Sequence, residues 1–333
     1  MRGPARLGRR TKLLTRRLAP GEIAIIDHDG LDRVSAEELI AAGVCAVINC
    51  KASVSDSYPN LGPLLLAAAG VRLIDAADDS LFALCADGEQ IELRDGGIWR
   101  DGERLAGGIE LHESTLRTAL LERRAALDSA LERFARNTLE HMRRERELLT
   151  GRFELPALRT DFRERPALVV VRGSGYLGDL AVLRPYIARE RPVVVAVDGA
   201  AEGVLRAGLC PQMIVGDMDS AGDGVLASGA ELVAHAYQDG RAPGRDRLLG
   251  LGLPHTVVRT TGTSEDLALL IAAEAGASLI VLVGSPLSLV ELLGRGRQGA
   301  ASAFLTRLRV GELLIDAKGV SRLLSGGRGR SPG

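Results

Sequence analysis

Aromatic and cysteine residues are both scarce in this chain. Aromatic residues make up 3% of its 333 residues, so we expect no surface on which nucleic-acid bases could stack. The four cysteines form no CxxC pair, which argues against a zinc site and against disulfides and favours a reducing cytoplasm. Two of them, Cys45 and Cys210, lie in apolar stretches and are expected to be small core residues.

The sequence also lacks a long apolar run and a net charge. No run of eighteen apolar residues occurs, so the chain as given contains no candidate membrane span. The formal net charge is −1, and we therefore expect no nucleic-acid partner for the molecule as a whole. Residues 1–17 are the exception, with seven Arg or Lys and no acid. We interpret residues 1–18 as a basic arm, either a solvated, partly disordered tail or a contact for an anionic membrane or nucleic acid.

Residues 19–108 alternate short apolar runs with helical patterns, which predicts an α/β domain. Strands are expected at GEIAIIDH, VCAVINC and VRLID, and helices at SAEELIAAG and LGPLLLAAAG. Ser35 and Glu38 have the spacing of a capping box, which would start the first of these helices. Asp95-Gly96 and Asp101-Gly102 are tight-turn signals, so the short strands around them should form a β-rich edge.

This part of the chain resembles the swivelling phosphohistidine domain of phosphoenolpyruvate-utilising enzymes, through GEIAIIDHDGLDRVSAEELIAAGVCAVIN. The resemblance implies a swivel-like α/β fold. It does not extend to phosphohistidine chemistry, because that family has a nucleophilic His in the loop after the second strand and CKASVSDSYPNLGP contains none. His28, at the end of the first strand, is expected to be structural.

A long amphipathic helix is predicted over residues 109–150. Apolar residues recur at three- and four-residue steps from Leu116 to Leu149, without Pro or Gly. At 1.5 Å per residue the helix would be about 60 Å long, so we expect it to form a homodimer. The alternative is a helical hairpin folded back on its own core. Residues 151–166 are expected to be a linker. The predicted dimer seam consists of Leu120, Leu127, Leu131 and Phe134.

Strands and helices alternate strictly over residues 167–310. Runs such as VVVAV and LIVLV are apolar throughout, which is typical of strands buried on both faces and predicts a doubly wound parallel sheet. Residues 311–333 are expected to be a basic C-terminal tail.

Three aspartates follow two of these strands. Asp198 directly ends VVVAV, and Asp217 and Asp219 follow QMIV. Ligands bind outside the carboxyl ends of the strands in open parallel sheets, where the strand order switches, and Gly199 and Gly216 leave room for a phosphate. Because Mg²⁺ takes one or two carboxylates together with phosphate oxygens and water, we expect the three aspartates to be metal ligands at a nucleotide–Mg²⁺ site. The alternative is an ordinary turn, in which Asp is common.

Two further loops contain candidate ligand residues. Arg172 and Gly173 form a glycine-containing loop after the first strand of this region, which is either a phosphate contact or a plain turn. Asp239, Arg241 and Arg245 lie in a polar loop that we expect to close over the ligand.

The segment VDGAAEGVLRAGLCPQMIVGDMDS resembles the catalytic domain of thiamin pyrophosphokinases, with an Asp-Gly strand end, a helix, a Pro and a GDxDS loop. TSEDLALLIA is similar to a later helix start of that family and places Asp266 at a family aspartate. The resemblance implies that the chain binds ATP and Mg²⁺ and transfers pyrophosphate to an alcohol. It adds Ser220, Thr263, Ser264 and Asp266 to the expected ligand-binding residues.

Several features of that family have no counterpart in this chain. Thr263 stands where the family usually has another Asp, and VGSPLSLVELLGRGRQG stands in place of its Gly-Gly-Arg-x-Asp loop. The β-sandwich that closes the thiamin pocket has no room between Leu308 and Gly333. We therefore expect a degenerate nucleotide-binding domain without appreciable thiamin pyrophosphokinase activity and name no catalytic residue. The alternative is an active ATP- and Mg²⁺-dependent pyrophosphokinase acting on another small alcohol.

A further resemblance rests on motifs that span nearly every segment of the chain. They are GRRTKLLTRRLAPGEIAIIDH, YPNLGP, NTLEHMRRERELL, RGSGYLGDLAVLRPYI, VGDMDS, HAYQDGRAPG, GTSEDLALL and ASAFLTRLRVGELLIDAKGVSRL. Through these motifs the whole chain is similar to the SteA-type cytokinetic-ring proteins of actinobacteria. The resemblance implies a cell-division regulator, linked to cell-wall hydrolase control, at the inner face of the plasma membrane with a membrane coiled-coil partner of the SteB type. In that family a membrane-spanning tail follows AKGVSRL, where this chain has SGGRGRSPG, so either the tail has been removed or this member departs from the family.

Overall fold

The chain forms two compact units, Met1–Arg133 and Phe134–Gly333, called here the barrel unit and the sheet unit. Both are mixed α/β structures, as predicted. The structure, a computed structural model, describes residues 1–55, 60–76, 79–125, 135–136, 138–140, 142–143, 146, 153, 155–237, 240–285 and 296–325.

The strands of the barrel unit close into a barrel in the order β1-β2-β3-β4-β7-β6-β5. The first four strands are parallel, and the remaining pairs are antiparallel. The strands are β1 Arg2–Gly8, β2 Ile23–Ile26, β3 Ala46–Asn49, β4 Arg72–Ala76, β5 Gln90–Arg94, β6 Gly97–Arg100 and β7 Glu103–Leu111. The helices are α1 Thr11–Leu14, α2 Arg33–Ala41, α3 Gly62–Ala68, α4 Leu81–Leu84 and α5 Glu113–Ala125.

The expected β-rich edge is what closes the barrel. Asp95 and Gly96 have φ angles of 51° and 69°, the left-handed pair that a tight two-residue hairpin requires. This hairpin and the one at Asp101-Gly102 return the chain so that β7 pairs with β4 and β5 pairs with β1. The prediction of both turns is confirmed.

Residues 1–18 are part of the barrel unit, so the interpretation as a solvated tail is wrong. The strand β1 pairs with β2 and with β5, and Ala5 is fully buried. The basic side chains find acids within the same unit: Arg6 pairs with Glu22 at 2.7 Å. The strand pattern was missed because its arginines, which lie at partly exposed positions, gave the segment the composition of a basic tail.

The helix α2 begins earlier than predicted, and the capping box at Ser35 and Glu38 is not formed. The N-cap is Asp32, whose carboxylate accepts a hydrogen bond from the Ser35 backbone N–H at 2.9 Å. Glu38 instead accepts a hydrogen bond from the Thr15 hydroxyl at 3.1 Å. Both Asp and Ser are favourable N-cap residues, and the capping-box pattern predicted Ser35 where the structure has Asp32.

The cysteine prediction is half wrong. All four thiols are free, as expected. Cys45 is only partly buried and Cys210 is exposed, whereas Cys50 and Cys85 are buried. Cys210 lies on the short connection into a strand, where apolar neighbours in sequence do not imply burial.

Part of the predicted long helix is described. The strand β7 extends to Leu111 and α5 spans Glu113–Ala125, so the helix starts later than predicted. Leu116 is buried and α5 packs against α3, while Leu120 is partly buried. The other predicted seam residues lie outside the described residues, and the homodimer stays a prediction. They are Leu127, Leu131 and Phe134.

The sheet unit contains a parallel sheet of order β12-β11-β10-β9-β8-β13-β14. Its strands are β8 Pro166–Val170, β9 Val193–Val197, β10 Met213–Gly216, β11 Glu231–Ala236, β12 His255–Arg259, β13 Leu279–Val283 and β14 Leu314–Asp316. Its helices are α6 Tyr176–Val182, α7 Arg184–Glu190, α8 Ala200–Arg206, α9 Asp223–Leu226, α10 Pro243–Gly250, α11 Ser264–Glu274, α12 Gly296–Val310 and α13 Ser321–Ser325.

Helices cover both faces of this sheet. On one face Leu267 and Ile271 of α11 pack against the alternate valines of the strands. On the other face Leu180 of α6, Val204 of α8 and Leu248 of α10 do the same. The predicted parallel α/β sheet is therefore confirmed. In the described ranges, no helix combines the length and the apolar character that a bilayer span requires.

The expected linker and the expected C-terminal tail both belong to the sheet unit. Within residues 151–166, Phe162 is 1% exposed and Glu231 accepts hydrogen bonds from the backbone N–H groups of Arg159 and Thr160 at 2.7 and 2.8 Å. The tail prediction is wrong for its described part, because β14 pairs with β13. The physical reason is backbone pairing: β14 is a three-residue edge strand, mostly exposed, that hydrogen-bonds along β13.

Asp179 of α6 also holds the segment that follows β14. This aspartate is 1% exposed. Its carboxylate accepts hydrogen bonds from the Gly319 N–H at 2.8 Å and from the Ser321 N–H and hydroxyl at 2.9 and 2.6 Å. A buried carboxylate with three donors is well satisfied.

Candidate functional site

Two neighbouring strands of the sheet unit, β9 and β10, end at predicted ligand residues, and a third strand, β11, lies beside them. Asp198 directly follows β9, Asp217 and Asp219 follow β10, and Tyr237 follows β11. The strand order switches between β8 and β13, so the aspartates lie one and two strands away from the switch rather than at it. Arg172 and Gly173, which follow β8, are predicted residues that lie at the switch.

Asp198 forms a strand-to-helix turn with an unusual backbone conformation. Its φ angle is 46°, a left-handed value that costs a non-glycine residue about 1 kcal/mol. The Asp198 N–H donates to the Val215 carbonyl at 3.0 Å, and the Asp198 carbonyl accepts from the Ala201 N–H at 3.1 Å. The first bond continues the pairing of β9 with β10, and the second begins α8, so the strained residue is held from both sides.

Gly216 provides the space that the Asp198 carboxyl group occupies. A Cβ atom built on Gly216 would lie 1.8 Å from Asp198 Oδ1, well inside van der Waals contact. Any other residue at position 216 would therefore displace the carboxyl group. Gly216 was expected to leave room for a phosphate; in the structure the space beside its Cα atom is occupied by the Asp198 carboxyl group.

The loop after β10 is fixed by the aspartates themselves. Asp198 Oδ1 accepts a hydrogen bond from the Met218 N–H at 3.1 Å, and Asp217 Oδ1 accepts one from the Asp219 N–H at 3.1 Å. Met218 has a φ angle of 60° and is fully buried, and Arg247 donates a hydrogen bond to its carbonyl. Asp198 and Asp217 are thus brought together by a well-anchored loop.

The two carboxyl groups repel each other when both are ionised. Burial and the negative charge of Asp217 raise the pKa of Asp198 to about 7, against the smaller opposing effects of the Met218 N–H and the Ser264 hydroxyl. Within the described ranges, no basic side chain forms an ion pair with Asp198 or Asp217. A pair of like charges without a cation is costly in a protein, and a bound cation would relieve that cost.

Three other predicted residues lie around this pair. A Cβ built on Gly199 would lie 3.1 Å from Ser220 Cβ and 3.5 Å from Arg172 Nη1, so both side chains approach the Asp198–Gly199 turn. The Ser264 hydroxyl faces Asp198 and lies 3.4 Å from His235 Nδ1. The site therefore combines carboxylates, hydroxyl groups and a guanidinium group.

Three other predicted ligand residues have structural roles: Asp266, Thr263 and Gly173. Asp266 is 1% exposed, and its Oδ2 accepts hydrogen bonds from the Thr263 N–H at 2.7 Å and hydroxyl at 2.8 Å. These two residues form the capping box of α11, and burial raises the pKa of Asp266. A Cβ on Gly173 would lie 1.7 Å from the Gly284 carbonyl oxygen, so Gly173 lets the loops after β8 and β13 touch.

Sequence reasoning missed His235 and Tyr237. His235, in β11, is 4% exposed, and burial lowers its pKa. Tyr237 is 41% exposed, and its ring centroid lies 5.6 Å from that of His235. The signal was HAY at the end of a predicted strand, because residues two apart share a face. Of the polar loop, Arg241 lies over the Tyr237 ring, Arg245 is exposed and Asp239 lies outside the described residues.

The described part of the chain contains no preformed group of three metal ligands. Among the described residues, no three His, Cys, Asp or Glu side chains are grouped so that they could hold a metal ion. Asp198 and Asp217 form a pair, and Asp219 does not complete it as a third ligand in this conformation. A pair is still a chemically suitable donor set, since Mg²⁺ commonly binds one or two carboxylates and takes its other oxygens from phosphate and water.

Two comparisons of the sequence with known proteins found no match. A scan against protein-family models found no match, and a search of curated proteins found none. The resemblances drawn from sequence motifs therefore depend on the quoted residues alone.

Proposed function

We propose that the sheet unit binds a nucleotide polyphosphate together with Mg²⁺ at the Asp198–Asp217 pair. The observation that carries this proposal is the pair itself: two carboxyl groups placed together by Gly216 and by backbone N–H groups, with no basic partner among the described residues. Proteins rarely keep such an arrangement without a use, because relieving it would add stability. A Mg²⁺ ion there would neutralise the pair and supply a bridge to phosphate oxygens.

The groups around the pair suit an anionic ligand. Arg172 supplies a planar set of donors that matches phosphate geometry, and Ser220 and Ser264 supply hydroxyl groups. Ser264 is also the first residue of the eleven-residue helix α11, whose N-terminus carries partial positive charge. Carboxylates for the cation and donors for the phosphates thus lie at one edge of the sheet.

In this proposal the protein is a cell-division regulator of the SteA type, with a doubly wound, thiamin pyrophosphokinase-like sheet unit and a swivel-like barrel unit. It would act at the inner face of the plasma membrane at the division site. Its partners would be a second copy, through the helix predicted over 109–150, and a membrane coiled-coil protein of the SteB type. The support is the sequence resemblance, together with a site that has a pair of carboxyl groups suited to a cation.

The second candidate is an active ATP- and Mg²⁺-dependent pyrophosphokinase, which the preserved Asp198–Asp217 pair favours. Against it, the position of a further family acid is Thr263, which caps α11 through Asp266. Preorganised charge supplies several kcal/mol of transition-state stabilisation, so the missing acids should cost orders of magnitude in rate. We expect no thiamin diphosphate from ATP, Mg²⁺ and thiamin; formation at an ordinary turnover rate would favour the second candidate.

Calorimetric titration with ATP, ADP and GTP in the presence of Mg²⁺ tests the binding proposal. Wild-type protein should bind, and Asp217→Asn should weaken binding at least tenfold, because the cation loses one of its two carboxylates. The matched control is Asp161→Asn, which removes an exposed carboxylate that lies five residues before β8. Equal affinities for wild type and a folded Asp217→Asn variant would show that the site is elsewhere.

A further inference from the structure

One exposed aromatic ring adjoins the acidic pair. Tyr237 follows β11 directly, and β11 is hydrogen-bonded to β10 with Gly216 opposite Ala234. Tyr237 is three residues beyond Ala234, as Asp219 is three residues beyond Gly216. Neighbouring strands lie about 4.8 Å apart, so the strand ends place this ring beside the loop that carries the aspartates.

Two backbone hydrogen bonds hold Tyr237 at the end of β11. Its N–H donates to the Arg241 carbonyl at 2.9 Å, and its carbonyl accepts from the Gly240 N–H at 2.9 Å. Gly240 has a φ angle of 86°, which only glycine adopts without strain. The Tyr237 backbone is therefore anchored by hydrogen bonds at the end of a buried strand.

The Tyr237 ring lies near two side chains and remains partly exposed. The His235 ring lies 5.6 Å away, centroid to centroid, at an angle of 47°, and Arg241 Cζ lies 5.8 Å from the Tyr237 centroid. The side chain remains 41% exposed. Burial and the charges of Asp217 and Asp219 raise the pKa of Tyr237, which agrees with a position close to the aspartates.

We propose that the exposed Tyr237 ring stacks on the base of the bound ligand, so that the site selects a nucleotide over an inorganic polyphosphate. This inference rests on the proposed binding of phosphate and Mg²⁺ at the Asp198–Asp217 pair. It differs from the expectation that so few aromatic residues provide no surface for base stacking: the chain has few aromatic rings, but one of them lies beside the proposed site. A planar ring beside a cation–phosphate site offers a base a contact that phosphate alone cannot use.

Two probes separate the base from the phosphates: ATP and inorganic tripolyphosphate, each titrated with Mg²⁺ by calorimetry. Wild type should bind ATP roughly tenfold more tightly than tripolyphosphate, the size of effect that one stacked base gives. Tyr237→Leu should lower the affinity for ATP to that for tripolyphosphate and leave tripolyphosphate binding unchanged. Tyr237→Phe keeps the ring and should behave like wild type. Phe304→Leu, which removes an exposed ring on α12, is the control.

The outcomes distinguish this inference from the proposed function. Equal binding of ATP and tripolyphosphate by wild type, a comparison that needs no variant, overturns the stacking role and leaves the phosphate site intact. Equal weakening of both probes by Tyr237→Leu and Tyr237→Phe also overturns it, because the hydroxyl group rather than the ring would then matter. Failure of wild type to bind either probe overturns the proposed function itself.

Discussion

The barrel unit and the sheet unit each collect polar side chains at the carboxyl ends of parallel strands, but they treat those groups differently. In the barrel unit Asp75 accepts hydrogen bonds from the Ser53 N–H at 2.9 Å and hydroxyl at 2.5 Å. Asn49, fully buried, donates to the His28 carbonyl and to Ser53, each at 2.8 Å. These side chains satisfy one another, and we interpret them as part of the fold.

The difference is clearest in two aspartates whose pKa values move in opposite directions. Although burial raises it, hydrogen bonds from His28 and Ser35 hold the pKa of Asp32 at about 2. Burial and Asp217 raise the pKa of Asp198 to about 7. Both residues follow parallel strands, so position alone does not mark a binding site. An unfavourable interaction that the fold maintains is the more useful indicator.

The largest change in stability should come from removing the hydrogen-bonded carboxylate of Asp179 in the sheet unit. Asp179→Ala leaves the N–H groups of Gly319 and Ser321 without their acceptor, and we expect a loss of about 3 kcal/mol in the free energy of unfolding. Hydrogen exchange at the β13 and β14 amides measures it. Ser321→Ala, which removes only the hydroxyl donor, is the control and should cost about 1 kcal/mol. Similar exchange rates in Asp179→Ala and wild type would contradict the expectation that this hydrogen-bonded carboxylate stabilises the sheet unit.

Asp198→Asn should raise the free energy of unfolding of the sheet unit, whereas Asp179→Ala lowers it. The folded pKa lies above the ordinary value, so between pH 4 and 7 the folded state holds a proton that the unfolded state has lost, and stability falls as pH rises. We expect Asp198→Asn to gain about 1–2 kcal/mol at pH 8, after allowance for partial exposure, and nothing near pH 4. Asn tolerates the left-handed backbone at this position.

Hydrogen exchange at the β9 and β10 amides at both pH values measures this gain. Asp161→Asn, which removes an exposed carboxylate, should show no gain at either pH. A loss of stability in Asp198→Asn at pH 8 would refute the view that the pair is repulsive.

The smallest effect should come from Asp32→Asn in the barrel unit. The folded pKa of about 2 lies below the ordinary value, so the carboxylate contributes stability above pH 4 that disappears as pH falls through 2. Because the side chain is 45% exposed, we discount the effect to about 1 kcal/mol lost at pH 7. Asn still caps the helix. The single tryptophan, Trp99 of β6, allows unfolding of the barrel unit to be followed by fluorescence, with Asp29→Asn as the exposed control. If Asp32→Asn is as stable as wild type at pH 7, the claim that the Asp32 carboxylate stabilises the fold, unlike that of Asp198, is wrong.

The sequence predicted where the acidic residues lie, because apolar runs such as VVVAV reveal a strand and its end. It could not predict how they face one another, since that depends on the left-handed φ of Asp198 and on the Cβ that Gly216 lacks. The misassigned residues 1–18 have a similar explanation. Their arginines pair with acids distant in sequence, such as Glu22, and no local pattern contains that information.

Titration of Mg²⁺–ATP into wild type and Asp198→Asn, at pH 6 and at pH 8, tests the central claim most directly. Cation binding must displace the proton that Asp198 holds below pH 7. The affinity advantage of wild type over Asp198→Asn should therefore be about tenfold larger at pH 8 than at pH 6. Taking the ratio to the variant removes the ionisation of ATP itself from the comparison. The same advantage at both pH values, or none at either, would contradict the assignment of the Asp198–Asp217 pair as a cation site.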